Sequence, residues 1–142
     1  MFDEQVQCVG ISSTLVVTPV NVAVRQGSAV TLQCSSDDSS SFVLWYNSAC
    51  VASTDIAGCT SDAIYTGTGL ANNVPERFSV TEMNSATHVT RDLNINPTQL
   101  TDAGLYLCAE AFAGNPSVTE SRSAQLIVLG NYRLLPKPKM IK

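Results

Sequence analysis

The sequence predicts an all-β fold, a sandwich of two antiparallel sheets, and two observations carry that prediction. Nearly every periodic segment alternates apolar and polar residues as a strand does, instead of following the spacing of a helix. Turn-forming Gly, Pro, Asn, Asp and Ser residues interrupt these segments at short intervals. A length of 142 residues and a hydrophobic content of 44% suit one domain with a real core and are short for two.

The elements follow in order. Val22 and Val24 lead to a turn signal at Gln26-Gly27, after which Val30, Leu32 and Cys34 alternate with Ala29, Thr31 and Gln33 as a half-buried strand. A Ser/Asp loop from Ser35 to Ser41 precedes Phe42 to Tyr46, whose β-branched and aromatic character suits a central strand with Trp45 near its end. Ser48 to Thr60 has two cysteines and no clear period, and Ala63 to Thr66 is a short strand ending at Gly67 and Gly69. Arg77 to Val80 and Val89 to Ile95 are two further strands, the second with Leu93 and Ile95 inward. Arg91 shares that parity, which calls for a bulge or for a strand end open to water. Leu105 to Phe112, a loop with Gly114 and Pro116, and Ala124 to Leu129 with Leu126 and Val128 inward complete the set. The folded domain therefore spans 14–130, with an N-terminal extension at 1–13 and a basic, proline-containing tail or linker at 131–142.

Charge and cysteine usage exclude several classes. The net charge of −4, with no basic stripe in the body of the domain, argues against nucleic acid. Five cysteines without a C-x-x-C point to an oxidising, extracellular compartment, secreted or at the cell surface. With no long apolar run and no signal-type N-terminus, the chain reads as a mature or truncated ectodomain of a secreted or membrane-anchored parent, any membrane contact being through an anchor outside it.

The run Asp102-Ala-Gly-Leu-Tyr106-Leu-Cys108, with Trp45 eleven residues after Cys34, resembles the D-x-G-x-Y-x-C signature of immunoglobulin V-set domains. The resemblance covers Leu15 to Leu129 and implies a Greek-key sandwich whose sheets are stapled by a Cys34–Cys108 disulfide, with the Trp45 indole packed against it. It further implies that Tyr106 turns its hydroxyl onto the backbone at the preceding corner. Arg77 and Asp102 match the ion pair that closes the bottom of such domains; the competing reading is two solvated surface charges. The segment between Ser48 and Thr66 leaves room for the extra edge strands of the V-set. One departure is informative. Rearranging antigen receptors carry a Phe-Gly-x-Gly bulge at the start of the last strand, whereas Ser117 to Ala124 contains no glycine, which favours a non-rearranging receptor or adhesion molecule.

Of the other cysteines, Cys50 and Cys59 flank one loop and are placed for a second bridge; the competing reading, a zinc site with His88, matches no common ligand spacing. Cys8 is left for an intermolecular bridge or a free reactive thiol. No cofactor or other metal is expected, and with His88 the single histidine, enzymatic activity is not expected either. Asn96-Pro-Thr and Asn115-Pro-Ser fail as glycosylation acceptors because proline occupies the middle position.

Two surfaces are candidates for binding. With Trp45 and Cys108 inward, alternation sends Leu44, Tyr46, Leu107, Ala109 and Ile127 out of the other side of their sheet, an apolar row where a solvated face would be polar. This is the face labelled GFCC′C″ in V-set domains, which the resemblance implies for homodimers and for binding a protein partner; the competing reading is that neighbouring side chains or the tail cover the row. The loops at one end are the second candidate, with Asp37, Asp38 and Glu120 making that end acidic and Phe112 as an anchor or as a residue packed beneath the loop. The leading expectation is an immune-type receptor or adhesion module that binds a protein partner and homodimerises. The alternatives are a soluble protein recognising microbial or glycan ligands through its loops, similar to some V-domain proteins of invertebrate chordates, and a spacer module in a longer chain.

Overall fold

The computed structural model describes residues 14–48 and 61–130. Cys8, Cys50, Cys59 and the tail 131–142 lie outside these, and with them the second bridge, its zinc alternative and the roles offered for Cys8. In chain order the strands are β1 (Leu15–Val17), β2 (Val22–Arg25), β3 (Val30–Leu32), β4 (Ser35–Ser36), β5 (Ser41–Ser48), β6 (Ser61–Tyr65), β7 (Phe78–Asn84), β8 (Val89–Ile95), β9 (Gly104–Phe112) and β10 (Asn115–Leu129). They form two sheets. In one, β8 pairs with β3 and β4 on one side and β7 on the other, and β1 adds to β4. The other runs β2-β10-β9-β5-β6, antiparallel except where β10 meets β2.

The first strands show why the chain changes layers. Leu15 to Val17 pairs with Ser35 and Ser36 in one sheet, and Val22 to Arg25 then runs parallel to Leu126 to Leu129 in the other. Between them lies Pro19, which has no N–H for a ladder and so favours a break over a continuous strand. Strand β1, at three residues, is too short to show a period, and sequence reasoning misses it. The last strand is longer than expected. It begins at Asn115, not Ala124, and the turn before it is confined to Ala113 and Gly114, the latter at φ +82°. Between the pairs Asn115–Phe112 and Glu120–Glu110 the register shifts, and Pro116 falls in the unpaired stretch, where its missing donor costs no ladder bond. The break in register in this strand thus arises without a glycine within it.

Between the sheets lies a single core built from Leu15, Leu32, Trp45, Phe78, Leu93, Ile95, Tyr106 and Leu126 with their neighbours. Trp45 is fully buried and its indole N–H donates to the Arg91 carbonyl at 2.7 Å, which joins the two layers. Strand β8 runs through Arg91 without a bulge, so the open end is the correct one of the two alternatives. There the half-buried guanidinium donates from Nε to the Tyr65 hydroxyl at 3.2 Å and from Nη1 to Asn84 Oδ1 at 2.7 Å. The Tyr65 hydroxyl donates in turn to Glu82, a strand β7 residue of the other sheet. Burial, and then the bond to Glu82, raise the Tyr65 phenol above its ordinary value.

Candidate interaction face

The face follows from side-chain parity set at the centre of the sandwich. Cys34 and Cys108 are joined by a disulfide between the two sheets, with Cα atoms 6.4 Å apart. Cys108 pairs directly with Trp45 across the β5–β9 ladder, and both side chains are fully buried. Tyr106 and Glu110 share the inward side of β9, so Leu105, Leu107, Ala109 and Ala111 point outward. On β5 the outward residues are Phe42, Leu44 and Tyr46, each beside a β9 partner: Leu44 pairs with Ala109 and Tyr46 with Leu107.

Strands β10 and β2 extend the same surface. Leu126 is buried, which puts Ser121, Ser123, Gln125, Ile127 and Leu129 outward, and Ala23 and Arg25 stand beside Ile127 and Leu129. Over these four strands the outward positions carry a single charge, Arg25, and no carboxylate. Among the described residues, a chain of net charge −4 thus places none of its carboxylates at the outward positions of these four strands. Ile127 is 45% exposed and Leu129 47%, and Leu44, Tyr46 and Leu107 are half-buried. Ala109 departs from the expectation of an exposed contact residue, being only 2% exposed. Its methyl group is short, and it sits in the ladder between Leu44 of β5 and Ser121 of β10. The turn after β6 also leans on this region: a Cβ built on Gly67 would lie 3.3 Å from Leu44 Cδ2, and Gly67 has φ +97°. The row is thus part of an apolar surface with Ala109 as its floor.

The loop end is smaller than the sequence suggests. Asp37 is exposed in the loop before β5, and Asp38 accepts from the Ser40 N–H and hydroxyl at 2.9 and 2.6 Å, which holds its carboxyl below the usual value. Phe112 and Glu120 do not lie in a loop. Phe112 ends β9, half-buried and paired with Ser41, because the turn is tighter than the composition implied. Glu120 sits in β10 and binds Arg122 at 2.8 Å, with the Leu15 N–H 3.4 Å from its Oε1.

Sequence reasoning also passed over Glu110, although its parity with Tyr106 and Cys108 was there to be read. Its side chain is fully buried. Ser36 donates to Oε2 at 2.5 Å and Thr14 donates to Oε1, while Thr119 donates to the Glu110 carbonyl at 3.2 Å. Ser36 and Glu110 stand two residues beyond Cys34 and Cys108, so a hydrogen-bonded rung lies directly above the covalent one.

The opposite end holds the ion pair. Arg77 grips Asp102 with both terminal nitrogens, Nη2 to Oδ1 at 3.0 Å and Nη1 to Oδ2, and Asp102 Oδ2 also accepts the Gln99 N–H at 2.7 Å. Arg77 stacks 5.6 Å above the Phe78 ring centroid. The Tyr106 hydroxyl donates to the Asp102 carbonyl at 2.5 Å, and burial, followed by the nearby Asp102 charge, pushes the phenol well above its ordinary value. His88, in the turn between β7 and β8, is exposed beside the Thr87 hydroxyl at 2.7 Å.

A two-layer sandwich with a Cys34–Cys108 staple, a buried tryptophan against it and a corner tyrosine defines an immunoglobulin-type domain. The family model for the immunoglobulin V-set domain matches residues 17–129, and the chain belongs to that family. No curated protein matches it. V-set domains are typically recognition modules without enzymatic activity and generally mediate contacts between proteins. Among the described residues no helix is long and apolar enough to cross a membrane, and no group of His, Cys, Asp and Glu is placed to hold a metal ion.

Proposed function

We propose that this chain is an extracellular, non-catalytic recognition module of an immune-type receptor or adhesion protein, and that it pairs with a second copy of itself through the outer face of the β2-β10-β9-β5-β6 sheet. One observation carries the reading: four adjacent strands present an outer surface with one arginine and no carboxylate, its centre apolar. A face left in water would hold charged side chains at many of these positions. Self-association is favoured over a basic partner because this face has no carboxylate to attract one, and it is where two copies of a chain of net charge −4 meet with least repulsion. A two-fold contact needs one self-complementary patch, which a flat apolar sheet face supplies.

Sedimentation equilibrium of the full chain over a concentration series tests this. The parent chain is expected to be dimeric at high micromolar concentration and Ile127→Asp monomeric, with an unchanged circular dichroism spectrum because Ile127 is exposed. A monomeric parent chain at that concentration overturns the homodimer. The loop-end alternative, a soluble protein binding microbial or glycan ligands, is less favoured, because Phe112 and Glu120 are half-buried and paired in β9 and β10.

A further inference from the structure

We infer that an open cleft between the sheets, at the end holding the Arg77–Asp102 pair, is a binding site for a neutral carbohydrate. The cleft has a volume of about 650 Å³, within the range of small-ligand sites. Its lining shares no residue with the outward positions of the pairing face and includes none of the loop-end residues considered above.

Its chemistry selects the ligand. Ile64, Phe78 and Tyr106 line it from the core and are buried, and Val74 adds a half-buried apolar wall. Around this floor stand the side-chain amides of Asn47, Asn72 and Asn73 and the exposed Thr101. A primary amide both donates and accepts, which matches the paired donor and acceptor character of adjacent sugar hydroxyls. The half-buried Val74 and the exposed Pro75 offer apolar contact to the C–H face of a pyranose ring. Charged ligands are disfavoured because the two ionic groups in the wall are already occupied: Asp102 takes both Arg77 nitrogens and the Gln99 N–H. An added anion or cation would have to compete with that bidentate pair.

The rim is also held in place before any ligand arrives. Ala71 N–H donates to the Ile64 carbonyl of β6 at 2.8 Å and Phe78 N–H, at the start of β7, to the Pro75 carbonyl at 3.0 Å, so the asparagine turn is tied to one strand of each sheet. A preformed rim lowers the ordering cost of binding.

The test is a chemical-shift titration of the isotope-labelled full chain with neutral disaccharides built from glucose, galactose, mannose or N-acetylglucosamine. At least one is expected to give saturable shifts centred on Asn47, Asn72, Asn73 and Thr101. Replacing both exposed asparagines, Asn72→Ala with Asn73→Ala, is expected to weaken that binding about tenfold while the melting temperature stays at the parent value. Thr101→Ala, a second exposed position, provides a milder independent loss. Ile127→Asp, altered on the pairing face, is expected to bind like the parent chain, so this site stands or falls apart from the dimer. No saturable shift with any of the disaccharides, shifts confined to residues outside the cleft, or unchanged affinity in the double asparagine variant would each overturn the assignment.

Discussion

Asp92 shows how much a single side chain on the outer side of β8 depends on its surroundings. It is half-buried, and its Oδ1 accepts the Cys34 N–H at 3.1 Å. Burial raises its carboxyl above the ordinary 3.8, and the backbone bond offsets this only in part. A carboxyl with a higher pKa in the folded than in the unfolded chain binds more protons in the native state, so its contribution to stability declines as pH rises from the unfolded value through the raised folded one. Above that interval the charged form is a standing cost. Asp92→Asn keeps an acceptor for the Cys34 N–H and removes the charge. Its melting temperature is therefore expected to exceed that of the parent at pH 7, with the difference vanishing near about pH 3, where the parent carboxyl is protonated in both states. Thermal denaturation at the two pH values checks this, and a lower melting temperature at pH 7 would show that the N–H needs the carboxylate itself.

At the scale of elements, the strands on either side of the disulfide are coupled by a second, polar rung. Ser36 of β4 and Glu110 of β9 are both fully buried and bonded to each other, with Thr14 as the other side-chain donor to the Glu110 carboxylate. A buried carboxylate held by hydroxyl groups is expensive to leave half-satisfied. Ser36→Ala and Glu110→Ala are each expected to destabilise the fold by roughly 2 to 3 kcal/mol, and the double variant by less than the sum, with a coupling of about 2 kcal/mol. Urea denaturation of the four proteins measures it; strict additivity would show that the rung holds the strands no better than its separate parts. The same scale explains which elements could be read beforehand. Val89 to Ile95 is legible at its observed bounds because Val89, Leu93 and Ile95 keep one buried period, with Arg91 the half-buried exception. Strand β7 reads as ending at Val80 because the next residue of that parity, Glu82, is charged and exposed, and its place is explained only by Tyr65 across the gap.

For the whole molecule, the Cys34–Cys108 bond closes a separation of 74 residues, joining the two layers near the centre of the core. In the chain-entropy account, a loop of that size contributes about 4 kcal/mol to stability. The double replacement Cys34→Ala with Cys108→Ala is expected to lose about that amount, within a range of roughly 2 to 5 kcal/mol, as read by guanidinium denaturation. A loss near zero would mean that packing around Trp45 alone holds the sheets in register. The pairing face depends on the same staple, because the parity that turns Cys108 inward turns Leu107 and Ala109 to the other side.

The residues by themselves determined the class of fold, the order of most strands, the staple and its tryptophan, and which side chains alternate to each face. Period-2 alternation and the spacing from Cys34 to Trp45 and from Tyr106 to Cys108 are local properties, and local properties are written along the chain. Only the tertiary structure decided how deeply Ala109 sits beneath its neighbours, that Arg91 meets Tyr65 at an open margin, that Glu110 rests on Ser36 and Thr14, and that Glu120 belongs to a strand. Each of these turns on which strand stands opposite, and contacts between segments distant in sequence are fixed by sheet order and register, which no single segment encodes.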